Sequence, residues 1–255
     1  MFKTYFIRIL AVLNVIFAVY VFFDAGQRLS DNHTVNGNLE KICASAGLIY
    51  DSDTVSDAPE FSWVFTREPA DELTFVKRLL GDDTAVQTIG GGIVQYSGNS
   101  GEALFRENGT FELSLPDFEV RNGRSNSANE LANRLELRLR KTDERSETLT
   151  YVLVYDKREV FNQTFKFEFG AEKGVKISGT YASGAAIRVT ESKSSGFATT
   201  APRFWDTLSE NGYLISNIYS ADAGYIYAEY KYTAAWRFST DVGEFIFADG
   251  KIIEG

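Results

Sequence analysis

The sequence predicts an α+β protein: an N-terminal transmembrane helix followed by two antiparallel-sheet lobes, each packed with helices. Three observations carry this. An apolar run, Phe6–Phe23, lies near the start of the 255-residue chain. Aromatic residues make up 14% of the chain, with 20 Phe and 13 Tyr, types that favour strands. Helical and strand periodicities alternate along the rest, separated by turn residues.

The run Phe6–Phe23 holds one charge, Arg8, close to its start. At about 1.5 Å per residue it measures roughly 27 Å, enough to cross the hydrocarbon core. Arg8 can snorkel to the near interface. Lys3 and Arg8 precede or open the span, and Asp24, Arg28 and Asp31 follow it. The positive-inside rule therefore predicts a cytoplasmic N-terminus and an extracytoplasmic 24–255. A cleavable signal peptide needs small residues at its exit. Here the exit reads Val21-Phe22-Phe23-Asp24-Ala25-Gly26-Gln27, which predicts a retained anchor. Asn14 sits mid-span, where an amide either bonds its own backbone or faces another helix.

Residues 24–37 read as a polar juxtamembrane linker. The first lobe is predicted over 38–123. Leu39, Ile42, Cys43 and Ala46 recur at helical spacing. Phe61–Thr66 reads as a strand. Pro69 opens a helix carrying Leu73, Val76, Leu79 and Leu80, which Gly81 ends. A hairpin-like series follows: Ile93–Tyr96, Glu102–Arg106, Asn108-Gly109 and Thr110–Leu115.

The second lobe is predicted over 124–255. Ser127 with Glu130 reads as a capping box for a helix with Leu131, Leu135 and Leu139. Glu130/Arg134 and Glu136/Arg140 have the spacing of stabilising pairs. Strands are predicted at 149–155, 160–169, 175–181 and 186–190. Pro202 opens a further helix with Phe204, Trp205 and Leu208. Strand-like runs at 213–219, 225–232, 236–239, 243–247 and 251–253 close the chain. The pattern Tyr96…Gly101-Glu102…Phe105…Asn108-Gly109 has a counterpart in Trp236…Gly243-Glu244…Phe247…Asp249-Gly250, which suggests related lobes.

Chemistry is sparse. The net charge of −9 argues against nucleic acid, which needs a basic surface. One Cys rules out an intrachain disulfide, and one Cys with one His nearly excludes a zinc site of the usual Cys/His type, which needs three or four ligands. His33 falls in the linker, away from any candidate nucleophile. Gly90-Gly91-Gly92 lacks the Lys-Ser/Thr of a phosphate loop and reads as a turn. Asp82-Asp83 is an adjacent pair with no reason to converge. No catalytic, cofactor or metal residue is assigned. The cluster Tyr225, Tyr227, Tyr230 and Tyr232 suggests an aromatic strand face, which would serve either as a contact surface or as core.

Several segments carry a family resemblance. The span holds LAVLNVIFAVYVFF. Then come Leu39-Glu40-Lys41-Ile42 with Gly47-Leu48-Ile49-Tyr50, and Leu79-Leu80-Gly81. The Tyr96…Gly109 hairpin follows. Near the end stand Ala235-Trp236-Arg237-Phe238, Gly243-Glu244-Phe245 and Asp249-Gly250-Lys251-Ile252. Together these resemble the YycI/YycH family, accessory regulators of the WalK (YycG) sensor histidine kinase of Gram-positive bacteria. Two departures stand out. Members often carry Pro before the Ala-Trp-Arg element, where this chain has Ala234-Ala235, and residues 120–200 hold no family motif. The resemblance implies a single-pass membrane protein that tunes a sensor histidine kinase, with that kinase and a sister accessory protein as partners. It supplies no catalytic residue. On this reading Asn14 is the candidate contact within the membrane. The competing expectation is a tethered cell-envelope binding module or protease-inhibitor-like domain.

Overall fold

The computed structural model describes residues 41, 49–50, 55, 58–59, 61–190 and 197–253. The predicted span Phe6–Phe23, with Asn14, and the linker with His33 lie outside them, as does Cys43. Among the described residues no helix is long and apolar enough to cross a membrane.

Strands dominate. Among the described residues 51% are strand and 19% helix, the latter in three named helices, and the sheet curls into a half-barrel. This corrects the expected α+β class with two helix-packed lobes. Among the described residues fifteen strands belong to one sheet, whose main path runs β11-β2-β13-β12-β9-β10-β6-β5-β4-β3. These are β2 (Phe61–Val64), β3 (Ala85–Gly90), β4 (Ile93–Gly98), β5 (Gly101–Phe105), β6 (Thr110–Leu115), β9 (Arg158–Phe169), β10 (Val175–Thr180), β11 (Ile187–Thr190), β12 (Asn217–Ala228) and β13 (Lys231–Thr240). The remaining strands branch off: β1 (Ile49–Tyr50) beside β12, β7 (Leu139–Arg145) and β8 (Thr148–Tyr155) beside β9, and β14 (Gly243–Ala248) and β15 (Lys251–Ile253) beside β13. The expected break near residue 123 is bridged, because β10 pairs with β6 over six residues, from Val175↔Leu115 to Thr180↔Thr110.

Alternation explains the layering. In β6, Phe111, Leu113 and Leu115 are buried while Glu112 is exposed; in β9, Phe165, Phe167 and Phe169 are buried between exposed Thr164, Lys166 and Glu168. The apolar face is covered by α1 (Pro69–Leu80) and α2 (Arg124–Arg134). In α1, Pro69 takes the first position, where a missing N–H costs nothing. Asp71 and Glu72 in its first turn, and Lys77 and Arg78 in its last, oppose the helix dipole. Phe75, Val76, Leu79 and Leu80 are buried, each contributing roughly 1.5–3 kcal/mol by leaving water. A second cluster forms where α3 (Phe197–Glu210) covers β13 and β14, with the Phe204 and Phe238 rings stacked at 4.0 Å.

Two helix expectations shift. Leu139 belongs to β7, and α2 ends at Arg134, followed by Glu136 at a φ of 58°. The pairs Glu130/Arg134 and Glu136/Arg140 do not form. Arg78 draws Glu136 to 2.6 Å, and Arg134 donates to the Arg78 carbonyl. Ser127 is no cap either: α2 starts three residues earlier, and its hydroxyl bonds the Arg121 backbone instead. Pro202 lies inside α3 rather than at its start.

The two parts of the main path meet where β12 runs parallel to β9, with one register pair, Tyr225↔Val160. Gly224 permits this approach, since a Cβ there would lie 2.5 Å from the Glu159 carbonyl oxygen. Glu159 also ties the seam electrostatically, pairing with Arg140 and, at 3.0 Å, with Arg237.

Candidate functional site

The four tyrosines singled out by the sequence converge on this seam, but on two strands. Tyr225 and Tyr227 lie on β12, Tyr232 on β13, and Tyr230 in the turn between them, with Tyr227 the register partner of Tyr232. The single aromatic strand face is therefore corrected to a paired one. Glu229 and Tyr230 form the turn with φ of 48° and 61°, a left-handed pair that side chains adopt only at some cost. The Phe65 N–H holds it, donating to the Tyr230 carbonyl at 2.8 Å.

Each of the four hydroxyls has an internal partner. Trp63 Nε1 donates to Tyr225 at 3.4 Å. Tyr232 donates to Gln163 Oε1 at 2.8 Å. Tyr227 donates to the Asn108 carbonyl at 3.4 Å, and Tyr230 to that of Glu107. The last two fasten the β12–β13 hairpin onto the Asn108-Gly109 turn. Tyr225 and Tyr232 are buried in the core, and Tyr227 and Tyr230 are half-buried. Burial pushes the phenol pKa of all four upward, Tyr227 to about 12.

Beside the seam lies a groove of about 390 Å³, walled by Phe65, Leu153, Tyr155, Tyr181 and Tyr232, with Glu136, Arg138 and Asp156 also lining it. The Phe65, Tyr155 and Tyr232 rings meet edge to face at 4.8–5.7 Å. In the sequence Tyr155 and Tyr181 stand only as the last residues of the predicted strands 149–155 and 175–181. Their only signal was apolar-aromatic strand patterning, which marks core and groove alike. Apolar walls with a few charged groups suit a flat apolar ligand or a peptide side chain.

Next to the groove, Glu72 is fully buried and held in a closed network. Arg67 grips it with two nitrogens at 2.7 and 3.2 Å, and Tyr96 donates to it at 3.0 Å. Arg67 also donates to the Gly92 carbonyl at 2.9 Å, so the Gly90-Gly91-Gly92 turn serves as a carbonyl docking point. Burial and then the Glu72 charge raise the Tyr96 pKa. With its oxygens occupied inside the core, Glu72 acts as a brace for the α1 start. Its sequence context, two acids in a first helical turn, resembled ordinary dipole compensation, so nothing flagged it.

A second depression, of about 560 Å³, lies on the polar face of β4, β5, β6 and β10, lined by Gln95, Glu102, Glu112, Ser114 and Lys176 among others. Asp82 and Asp83 are both exposed in the turn before β3. Among the described residues no three His, Cys, Asp or Glu side chains are placed to hold a metal ion. The chain matches no protein-family model and no curated protein.

Proposed function

We propose that this chain is a membrane-anchored, extracytoplasmic regulatory protein that modulates a two-component sensor histidine kinase through transmembrane and extracytoplasmic contacts. The observation that carries the reading is Phe6–Phe23: an 18-residue apolar run with Lys3 and Arg8 at its start and acidic residues after it. The resemblance to the YycI/YycH accessory proteins supports it and names the partners, the kinase and a sister accessory protein. A helix contact in lipid biases a two-state kinase when it binds the two states unequally.

The test is Asn14→Leu in the full chain. The expected outcome is a change in kinase-dependent transcription together with loss of kinase co-purification. Unchanged output with unchanged co-purification overturns the proposed contact.

One observation favours a second reading, a tethered envelope-binding module. The groove between Tyr155 and Tyr181 is large enough for an apolar side chain. Function retained when an unrelated span replaces Phe6–Phe23 supports that reading over the first.

A further inference from the structure

Four residues with exposed apolar side chains lie on backbone segments that meet at one end of β12. Leu214 is 86% exposed, Ile49 67%, Val242 48% and Tyr213 46%. Backbone bonds place them together. The Ile49 N–H donates to the Ser216 carbonyl at 2.9 Å, and the Asp241 carboxylate accepts the N–H groups of Ser216 and Asn217 at 3.1 and 3.2 Å. The start of β1, the approach to β12 and the β13–β14 turn thus share one end of the sheet. The Tyr213 ring rests edge-on against Phe245 at 5.2 Å.

Single exposed apolar residues are ordinary; several large ones at one end are not. We infer that this end of the domain sits in the lipid interface, with Leu214, Ile49 and Val242 against the acyl boundary and Tyr213 at headgroup level. The inference rests on the anchored reading of Phe6–Phe23. The route of the chain points to the bilayer as the occupant: among the described residues the sheet begins at Ile49, inside the patch itself. Tyrosine is an interface residue, apolar in body and polar at its tip. The net charge of −9 disfavours attraction to anionic headgroups, so the contact is apolar and operates on zwitterionic lipid. Seating this end would fix the orientation of the domain above the membrane.

The sheet supplies an internal control. Val86 on β3 is 51% exposed. It lies six strands from β12 along the sheet path, roughly 29 Å at about 4.8 Å per strand. Full-length chain with Cys43→Ser is given one new cysteine, Leu214→Cys or Val86→Cys. Each is labelled with an environment-sensitive fluorophore and reconstituted into phosphatidylcholine liposomes. The expected result is blue-shifted emission at 214, quenched by bromines on the acyl chains, with water-like emission and no quenching at 86. Val242→Cys serves as a second reporter and is expected to follow 214.

Water-like emission at both 214 and 242 in a chain that stays in the vesicles overturns the lipid contact alone. Equal quenching at 86 and 214 also overturns it. A wild-type chain that alkaline carbonate strips from the vesicles overturns the anchored reading and this inference with it.

Discussion

The Asn162 side chain and the Tyr227 backbone exchange two hydrogen bonds: Nδ2 donates to the Tyr227 carbonyl at 2.8 Å, and the Tyr227 N–H donates to Oδ1 at 2.7 Å. The amide stands in for a strand backbone where β9 and β12 have only one register pair. The pairing of β8 with β9 shifts there, Val152 facing Thr164 and Leu153 facing Val160, so residues 161–163 bulge and free Asn162 to reach across. Asn162→Ala removes both bonds from an exposed seam. At about 0.5–1.5 kcal/mol net per bond, the expected loss is about 1–3 kcal/mol. Urea unfolding monitored by fluorescence measures it. Asn162→Asp keeps the acceptor but sets a carboxylate against the Tyr227 carbonyl, and should recover little.

Glu72 makes the second prediction. It is fully buried, and Arg67 is mostly so. Glu72→Leu leaves the guanidinium without its counter-charge and the Tyr96 hydroxyl without its carboxylate. Breaking such a pair from one side costs about 3–5 kcal/mol. Adding Arg67→Leu and Tyr96→Phe removes the stranded groups and is expected to restore part of that loss. A double- and triple-mutant series followed by thermal unfolding decides it; a triple variant no more stable than Glu72→Leu would show that the stranded charge is not the cause.

How legible these features were differs by feature, for physical reasons. The β4–β5–β6 meander was readable because Asn108-Gly109 is a strong turn signal, and Gly109 indeed has a φ of 81°. By contrast, β7 reads LRKTDER, a polar string with no strand alternation; it is a strand because β8 offers it an edge. The Glu229-Tyr230 turn carries no Gly, Asn or Pro, so the sequence hid the reversal that places Tyr225 and Tyr232 on different strands. The tyrosines were found as a cluster, and their partners were not, because a hydroxyl seeking the Glu107 or Asn108 carbonyl leaves no mark at that distance in sequence. The single sheet that replaces the expected helix-packed lobes was hidden because β6 and β10 pair across sixty to seventy residues, and pairing at such separation has no local signature.

Gly184 yields the third prediction. Its φ is +100°, and a Cβ there would lie 1.8 Å from the Thr66 carbonyl oxygen. The neighbouring Ser183 accepts a hydrogen bond from the Glu68 N–H at 3.3 Å, so the segment docks on the start of α1. Gly184→Ala has to move that backbone and adopt a left-handed conformation. The expected cost is above 1–2 kcal/mol from conformation alone, with the steric displacement added. Because Gly184 also lines the groove beside Tyr155 and Tyr181, the variant should alter Tyr181 packing. Near-ultraviolet circular dichroism together with the melting temperature checks both effects.

Alkaline pH supplies the fourth. Burial holds the Tyr227 phenol at about 12, above the unfolded value near 10. Between those values the unfolded chain gives up this proton and the folded chain keeps it. The unfolded state therefore binds fewer protons there, and stability falls as pH rises. The contribution is complete below about pH 10 and gone above about pH 12. Tyr225, Tyr230 and Tyr232 are shifted in the same direction by the same cause, so their contributions fall together. The seam should consequently open as a unit, with tyrosinate absorbance at 295 nm rising in step with loss of the near-ultraviolet circular dichroism signal. Tyr227→Phe removes one titrating group and one hydroxyl donor to the Asn108 carbonyl. It should be less stable than wild type at pH 8 yet lose less stability between pH 10 and 12. An unchanged slope in that window would mean that Tyr227 ionises as freely in the folded chain as in the unfolded one.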